Sequence, residues 1–115
     1  MFLSVVIPTY NRLPILQKCL QALEQQRLEA PITAYEVVLV DDGSTDDTVA
    51  WLGREAARFP HVRLIQQDHG GPAEGRNRGV DHARGDVIVF IDSDLVVTDD
   101  FLLCHARNLQ QSWAD

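Results

Sequence analysis

Four short apolar runs rich in β-branched residues alternate with longer stretches of helical spacing, and few folds accommodate that alternation. Leu3 to Pro8, Glu36 to Val40, Val62 to Ile65 and Val87 to Ile91 read as strands. Leu16, Cys19, Leu20 and Leu23 recur at helical spacing after Pro14, which a first helical turn tolerates. Val49, Leu52, Ala56 and Phe59 mark a second helix, N-capped by Ser44 or Thr45 and stopped by Pro60. A third helix of weaker periodicity runs from the Gly70-Gly71-Pro72 break to Ala83, and a fourth follows Asp99-Asp100 with Phe101, Leu102 and Leu109. Strand–helix repetition of this kind requires right-handed crossovers and gives an α/β domain, a parallel sheet with helices on both faces. A chain of 115 residues fits one such domain, with no repeat or linker.

Composition narrows the partners. The net charge of −7 opposes binding to a phosphate backbone, which depends on clustered Lys and Arg, so no nucleic-acid partner is expected. The early apolar run from Phe2 to Ile7 is far shorter than the roughly 20 residues that span a bilayer, and no basic segment precedes it. A cytoplasmic location is therefore expected, at the inner face of the membrane in a longer protein. Cys19 and Cys104 lack CxxC or Cys/His ligand spacing, so neither a disulfide framework nor a zinc site is indicated, and both read as buried free thiols.

Ligands of open parallel sheets bind outside the carboxyl ends of the strands. There this sequence places Thr9-Tyr10-Asn11, Asp41-Asp42 and Asp92-Ser93-Asp94. On an extended chain Asp92 and Asp94 point the same way, with Ser93 opposed, giving a hard oxygen pair suited to Mg²⁺ or Mn²⁺ and able to share that ion with a diphosphate. Asp41-Asp42-Gly43-Ser44 reads either as a capped turn or as a carboxylate accepting a hydrogen bond from a base imide or ribose hydroxyl. Arg76 could fork onto phosphate oxygens, whereas Arg78 reads as a solvated surface residue. Tyr10 could stack on a base or cover the core. His61, His69, His82 and His105 show no ligand pairing and read as surface or half-buried side chains. The first βα turn has no GxGxxG and the chain has no GxxxxGK[ST], which argues against a nicotinamide dinucleotide and a P-loop. If the strands order 3-2-1-4, Val87 to Ile91 is an edge strand that is apolar on both faces, and either a following segment or a second copy of the chain is expected to cover it.

Taken together, Val5-Val6-Ile7-Pro8-Thr9-Tyr10-Asn11-Arg12, Val40-Asp41-Asp42-Gly43-Ser44-Thr45-Asp46, Gly70-Gly71-Pro72 with Arg76-Asn77-Arg78-Gly79, and Phe90-Ile91-Asp92-Ser93-Asp94 resemble family 2 glycosyltransferases. The resemblance implies the GT-A fold, a Rossmann-like three-layer αβα arrangement. Residues 1–115 would then be its nucleotide-sugar-binding part, truncated relative to the whole catalytic domain. It implies that Pro8, Thr9 and Tyr10 line the nucleobase pocket, that Asp42, with Asp41 a weaker candidate, bonds the base imide, and that Arg76 approaches the nucleotide. Asp94 would hold Mn²⁺ or Mg²⁺, with Asp92 beside the ribose and metal. The implied reaction is inverting transfer from a nucleoside diphosphate sugar, UDP-sugar by default, to a hydroxyl of a glycan or lipid-linked sugar. The general base this needs is expected beyond Asp115. Two departures stand out: His69 replaces a common Asn and Gly75 a common Ala, so a looser loop is expected ahead of Arg76.

Two other readings compete. One is a nucleotide-binding module without catalysis, or a fragment inactive on its own. The other is a nucleotidyltransferase with a similar half-sheet, against which the glycine-poor Thr9-Tyr10-Asn11-Arg12 turn argues.

Overall fold

A computed structural model describes residues 1–113. In chain order it contains β1 (Phe2–Thr9), α1 (Leu13–Glu24), β2 (Ala34–Asp41), α2 (Thr48–Glu55), β3 (Val62–Gln66), α3 (Pro72–His82), β4 (Val87–Phe90) and α4 (Phe101–Trp113). The four strands form one parallel sheet, as the alternation predicts, and their order is β3-β2-β1-β4.

Register divides the side chains between two faces. Val5 aligns with Val37 on one side and Val89 on the other, so alternate residues of β1, β2 and β4 share a face. Leu3, Val5, Ile7, Val37, Leu39 and Val89 join α1, α2 and α4 in the larger core cluster. Leu16, Cys19, Leu20 and Leu23 are fully buried, as their spacing predicts, each leucine contributing roughly 1.5–3 kcal/mol. The opposite face, Val6, Val38 and Val40 with Ile65 and Ile88, forms a smaller cluster on which α3 lies.

The faint periodicity of α3 has a simple cause: its buried residues are Gly75 and Gly79. A Cβ at Gly79 would lie 2.3 Å from Val6 Cγ1, and one at Gly75 would lie 3.1 Å from Pro8 Cβ. The helix backbone therefore rests directly on β1. Gly75 is a packing residue inside the helix, not part of a loosened loop.

Three local expectations are corrected. Neither Ser44 nor Thr45 caps α2, which starts at Thr48. Asn11, at φ 49°, ties that turn down instead: its N–H donates to Ser44 Oγ at 3.0 Å and its Oδ1 accepts the N–H groups of Thr45 and Asp46. The Asp46 carboxylate then accepts the N–H groups of Thr48 and Leu13, fixing the starts of α2 and α1 together. α2 buries Thr48, Trp51 and Leu52, while Ala56 lies in a 3-10 turn and is exposed. Cys104 is exposed, and only Cys19 is the buried thiol expected of both.

β4 occupies the sheet edge, and its last residue, Phe90, is 50% exposed. No helix among the described residues is long and apolar enough to cross a membrane.

Candidate functional site

The carboxyl ends of β1, β2 and β4 border a cleft of about 460 Å³, within the usual range of small-molecule sites. β1 and the turn after it supply Pro8, Thr9, Tyr10 and Arg12; the residue after β2 is Asp42; the segment after β4 supplies Asp92, Ser93 and Asp94. His69 and Pro72, at the start of α3, form the remaining wall. Three motifs far apart in sequence thus meet because parallel strands all end on the same side.

Asp92 and Asp94 are both exposed and line the cleft while Ser93 is 3% exposed, but the segment is a turn and not the extended chain expected, with Leu95 N–H donating to Asp92 O at 3.2 Å. Among the described residues no group of three or more His, Cys, Asp or Glu is placed to hold a metal. Two carboxylates facing an open cleft nevertheless suit a divalent ion that takes its other ligands from water and a diphosphate, the usual arrangement for Mg²⁺ at phosphate sites.

Asp42 and Asp41 part company because successive residues of an extended chain face opposite ways. Asp42 is 3% exposed and its carboxylate is fully engaged. Oδ1 accepts Gly70 N–H at 2.7 Å and Gln67 Nε2 at 2.8 Å; Oδ2 accepts Gly71 N–H at 3.0 Å and lies 2.9 Å from His69 Nδ1. Burial pushes this carboxyl up, but the bonds from Gln67, Gly70 and Gly71 with the His69 pair outweigh it and hold it below the ordinary range. Asp42 thereby pins the loop leading into α3. Arg78 extends the chain, donating from Nε to Gln67 Oε1 at 3.1 Å, so it is not simply solvated.

Asp41 faces a second cleft of about 450 Å³ with Ser44, Gln66, Asp68 and Arg78. Its Oδ2 accepts Ser44 N–H at 3.1 Å, and its Oδ1 is buried without a partner. The cleft containing Asp92 and Asp94 therefore takes in Asp42 but not Asp41. Arg76 is half-buried on α3 and does not line that cleft, since Gly75 and Gly79 occupy the face turned to the sheet. The guanidinium that does line it belongs to Arg12.

Tyr10 is 40% exposed and packs against His69, with ring centroids 4.3 Å apart and planes at 33°. It covers the cleft, not the core. Thr9 Oγ1 is buried with no hydrogen-bond partner. Sequence reasoning missed Arg12, Gln67 and the part His69 plays. Arg12 stood inside a quoted motif and His69 was noted as a departure just ahead of another, but nothing local marked Gln67.

Residues 4–115 match the family described as Glycosyl transferase family 2. The chain belongs to this family. Relatives agree with the assignment. The family 2 chain is 39% identical over 92 residues to the uncharacterized glycosyltransferase YibD of Escherichia coli (strain K12), covering 80% of this chain and 26% of YibD. A crystal structure of Staphylococcus aureus TarS 1-349 in complex with UDP-GlcNAc matches 96% of this chain and 32% of its own, with TM-score 0.82 and 32% identity. The mannosyltransferase PcManGT of Pyrobaculum calidifontis, in complex with GDP-Man and Mn²⁺, matches 87% of this chain and 30% of its own, with TM-score 0.76 and 31% identity. The sheet and its helices are those of the GT-A glycosyltransferases, as the motifs implied. The family 2 chain spans about a third or less of the length of each of these relatives.

Proposed function

We propose that the cleft binds a nucleoside diphosphate sugar, by default a UDP-sugar, together with Mn²⁺ or Mg²⁺, as the donor site of an inverting glycosyltransferase acting on a hydroxyl of a glycan or lipid-linked sugar. The observation that carries this reading is the convergence of Tyr10, Asp42, Asp92 and Asp94 on one cleft at the strand ends. The TarS complex with UDP-GlcNAc and the PcManGT complex with GDP-Man and Mn²⁺ support the ligand class.

In this reading Tyr10 offers an aromatic face to the base and Asp42 an acceptor to its imide. Arg12 offsets diphosphate charge in a cleft that otherwise carries three carboxylates. Asp92 and Asp94 would hold the divalent ion, which when bound neutralises charge developing on the departing nucleoside diphosphate. Pro8 and Thr9 shape the floor of the base pocket. The residues of this chain bind and orient the donor, and the base that takes the acceptor's proton belongs to the remainder of a whole catalytic domain.

Calorimetric titration of UDP into the chain, with and without Mn²⁺, tests the site. Metal-dependent binding that is lost in Asp92→Asn/Asp94→Asn is expected. Equal binding by parent and variant would refute the metal assignment, and absence of binding to UDP, GDP and dTDP would refute the nucleotide reading.

A further inference from the structure

Asp42 carries an unusual constraint for a residue meant to recognise a ligand. A carboxylate offers about four acceptor positions, and four protein groups already crowd this one: Gln67 Nε2 and Gly70 N–H donate to Oδ1, Gly71 N–H donates to Oδ2, and His69 Nδ1 lies 2.9 Å from Oδ2 while its hydrogen bond runs to the Asp42 main-chain O at 3.2 Å. Three of the four are built into the loop. Gln67 is 8% exposed and is itself held by Arg78, and the two glycine donors are backbone groups at the start of α3. The fourth sits on a side chain that is 60% exposed. The same imidazole lies against Tyr10, with centroids 4.3 Å apart.

We propose that His69 is a displaceable occupant of the base end of the cleft, its ring holding both the Tyr10 face and the Asp42 oxygen that an incoming nucleobase requires. The inference rests on the nucleotide reading of the cleft and adds to it the residue that sets affinity. A base imide N–H takes the place beside Oδ2 that the imidazole occupies, and the base ring exchanges one planar group for another on Tyr10. Opening that space costs the free protein both contacts, so only the fraction of molecules with His69 swung outward is competent, and apparent affinity falls by that fraction. The backbone donors and Gln67 remain in place, so the exchange does not dismantle the loop.

The test compares UDP affinity of the chain with that of His69→Ala and His69→Phe by calorimetry in the presence of Mn²⁺. Releasing the hydrogen bond of His69 to the Asp42 main-chain O and one ring contact should let His69→Ala bind UDP roughly tenfold more tightly. His69→Phe keeps the ring but not the donor and should fall between the two. A merely structural role for His69 would not raise affinity. Unchanged or weaker binding by His69→Ala, with the parent binding UDP, overturns the inference and makes His69 a wall of the pocket. If the parent and both variants are folded by circular dichroism and none takes UDP, the nucleotide reading itself fails and the inference falls with it.

Discussion

Replacing Asp42 with Asn probes the join between fold and site, because an amide matches the carboxylate in shape but brings two donors of its own. Whichever way the amide turns, its nitrogen meets a pair of donors, either Gln67 Nε2 with Gly70 N–H or Gly71 N–H with His69 Nδ1. The second orientation costs less, since His69 is exposed and can withdraw. It still loses the Gly71 hydrogen bond and the close His69 contact to a charged acceptor, and a hydrogen bond to a charged group is worth about 1.5–3 kcal/mol. Rehydration of the freed groups offsets part, leaving a net loss of about 2 kcal/mol, which at about 4–6 °C per kcal/mol lowers Tm by roughly 8–12 °C. The pH dependence carries a sign. Asp42 is held below its ordinary range in the folded chain. Its contribution is therefore complete above the unfolded value of about 3.9 and is lost as pH falls through the lower folded value. Thermal melts followed by circular dichroism should show a constant gap between parent and variant from about pH 5 to 8. The gap should narrow below about pH 4. A variant melting within 2–3 °C of the parent at pH 7, which is below about 1 kcal/mol, would refute the claim that Asp42 organises the loop.

Gly79→Ala should destabilise the chain although alanine favours helix by about 1 kcal/mol: the new methyl meets fully buried Val6 at 2.3 Å, and overpacking costs about 1–3 kcal/mol. A Tm equal to or above the parent's would contradict the close seating of α3. Thiol labelling of the native chain should modify one cysteine rapidly, exposed Cys104, and spare Cys19, whose thiol burial pushes up to about 12, with the Asp94 charge adding to the shift. Two fast-reacting thiols in the folded chain would contradict the burial of α1.

The strands and their parallel pairing were legible because β-branched runs and turn residues alternate with helical stretches, and the three polar strand ends were legible because parallel strands deliver them to one edge. The features that escaped depend on partners distant in sequence. The donors that saturate Asp42 lie 25 to 29 residues further on. The anchor of the β2–α2 turn is Asn11, more than 30 residues earlier. α3 was faint because glycines leave no trace in a hydrophobic pattern, although they set how closely the helix sits on β1. Arg76 was misplaced for the same reason, since without an apolar stripe the sequence gives no face to count from. Asp41 and Asp42 were separable only once the strand's alternation was fixed in space.

The most direct test of the central claim is a crystal structure of the chain soaked with UDP and Mn²⁺, read at the manganese anomalous signal. The account predicts a manganese peak within about 2.0–2.3 Å of carboxylate oxygens of Asp92 and Asp94, with the uracil ring on Tyr10. An ordered nucleotide in the other cleft, beside Asp41 and Arg78, or a manganese peak away from both aspartates, would contradict it.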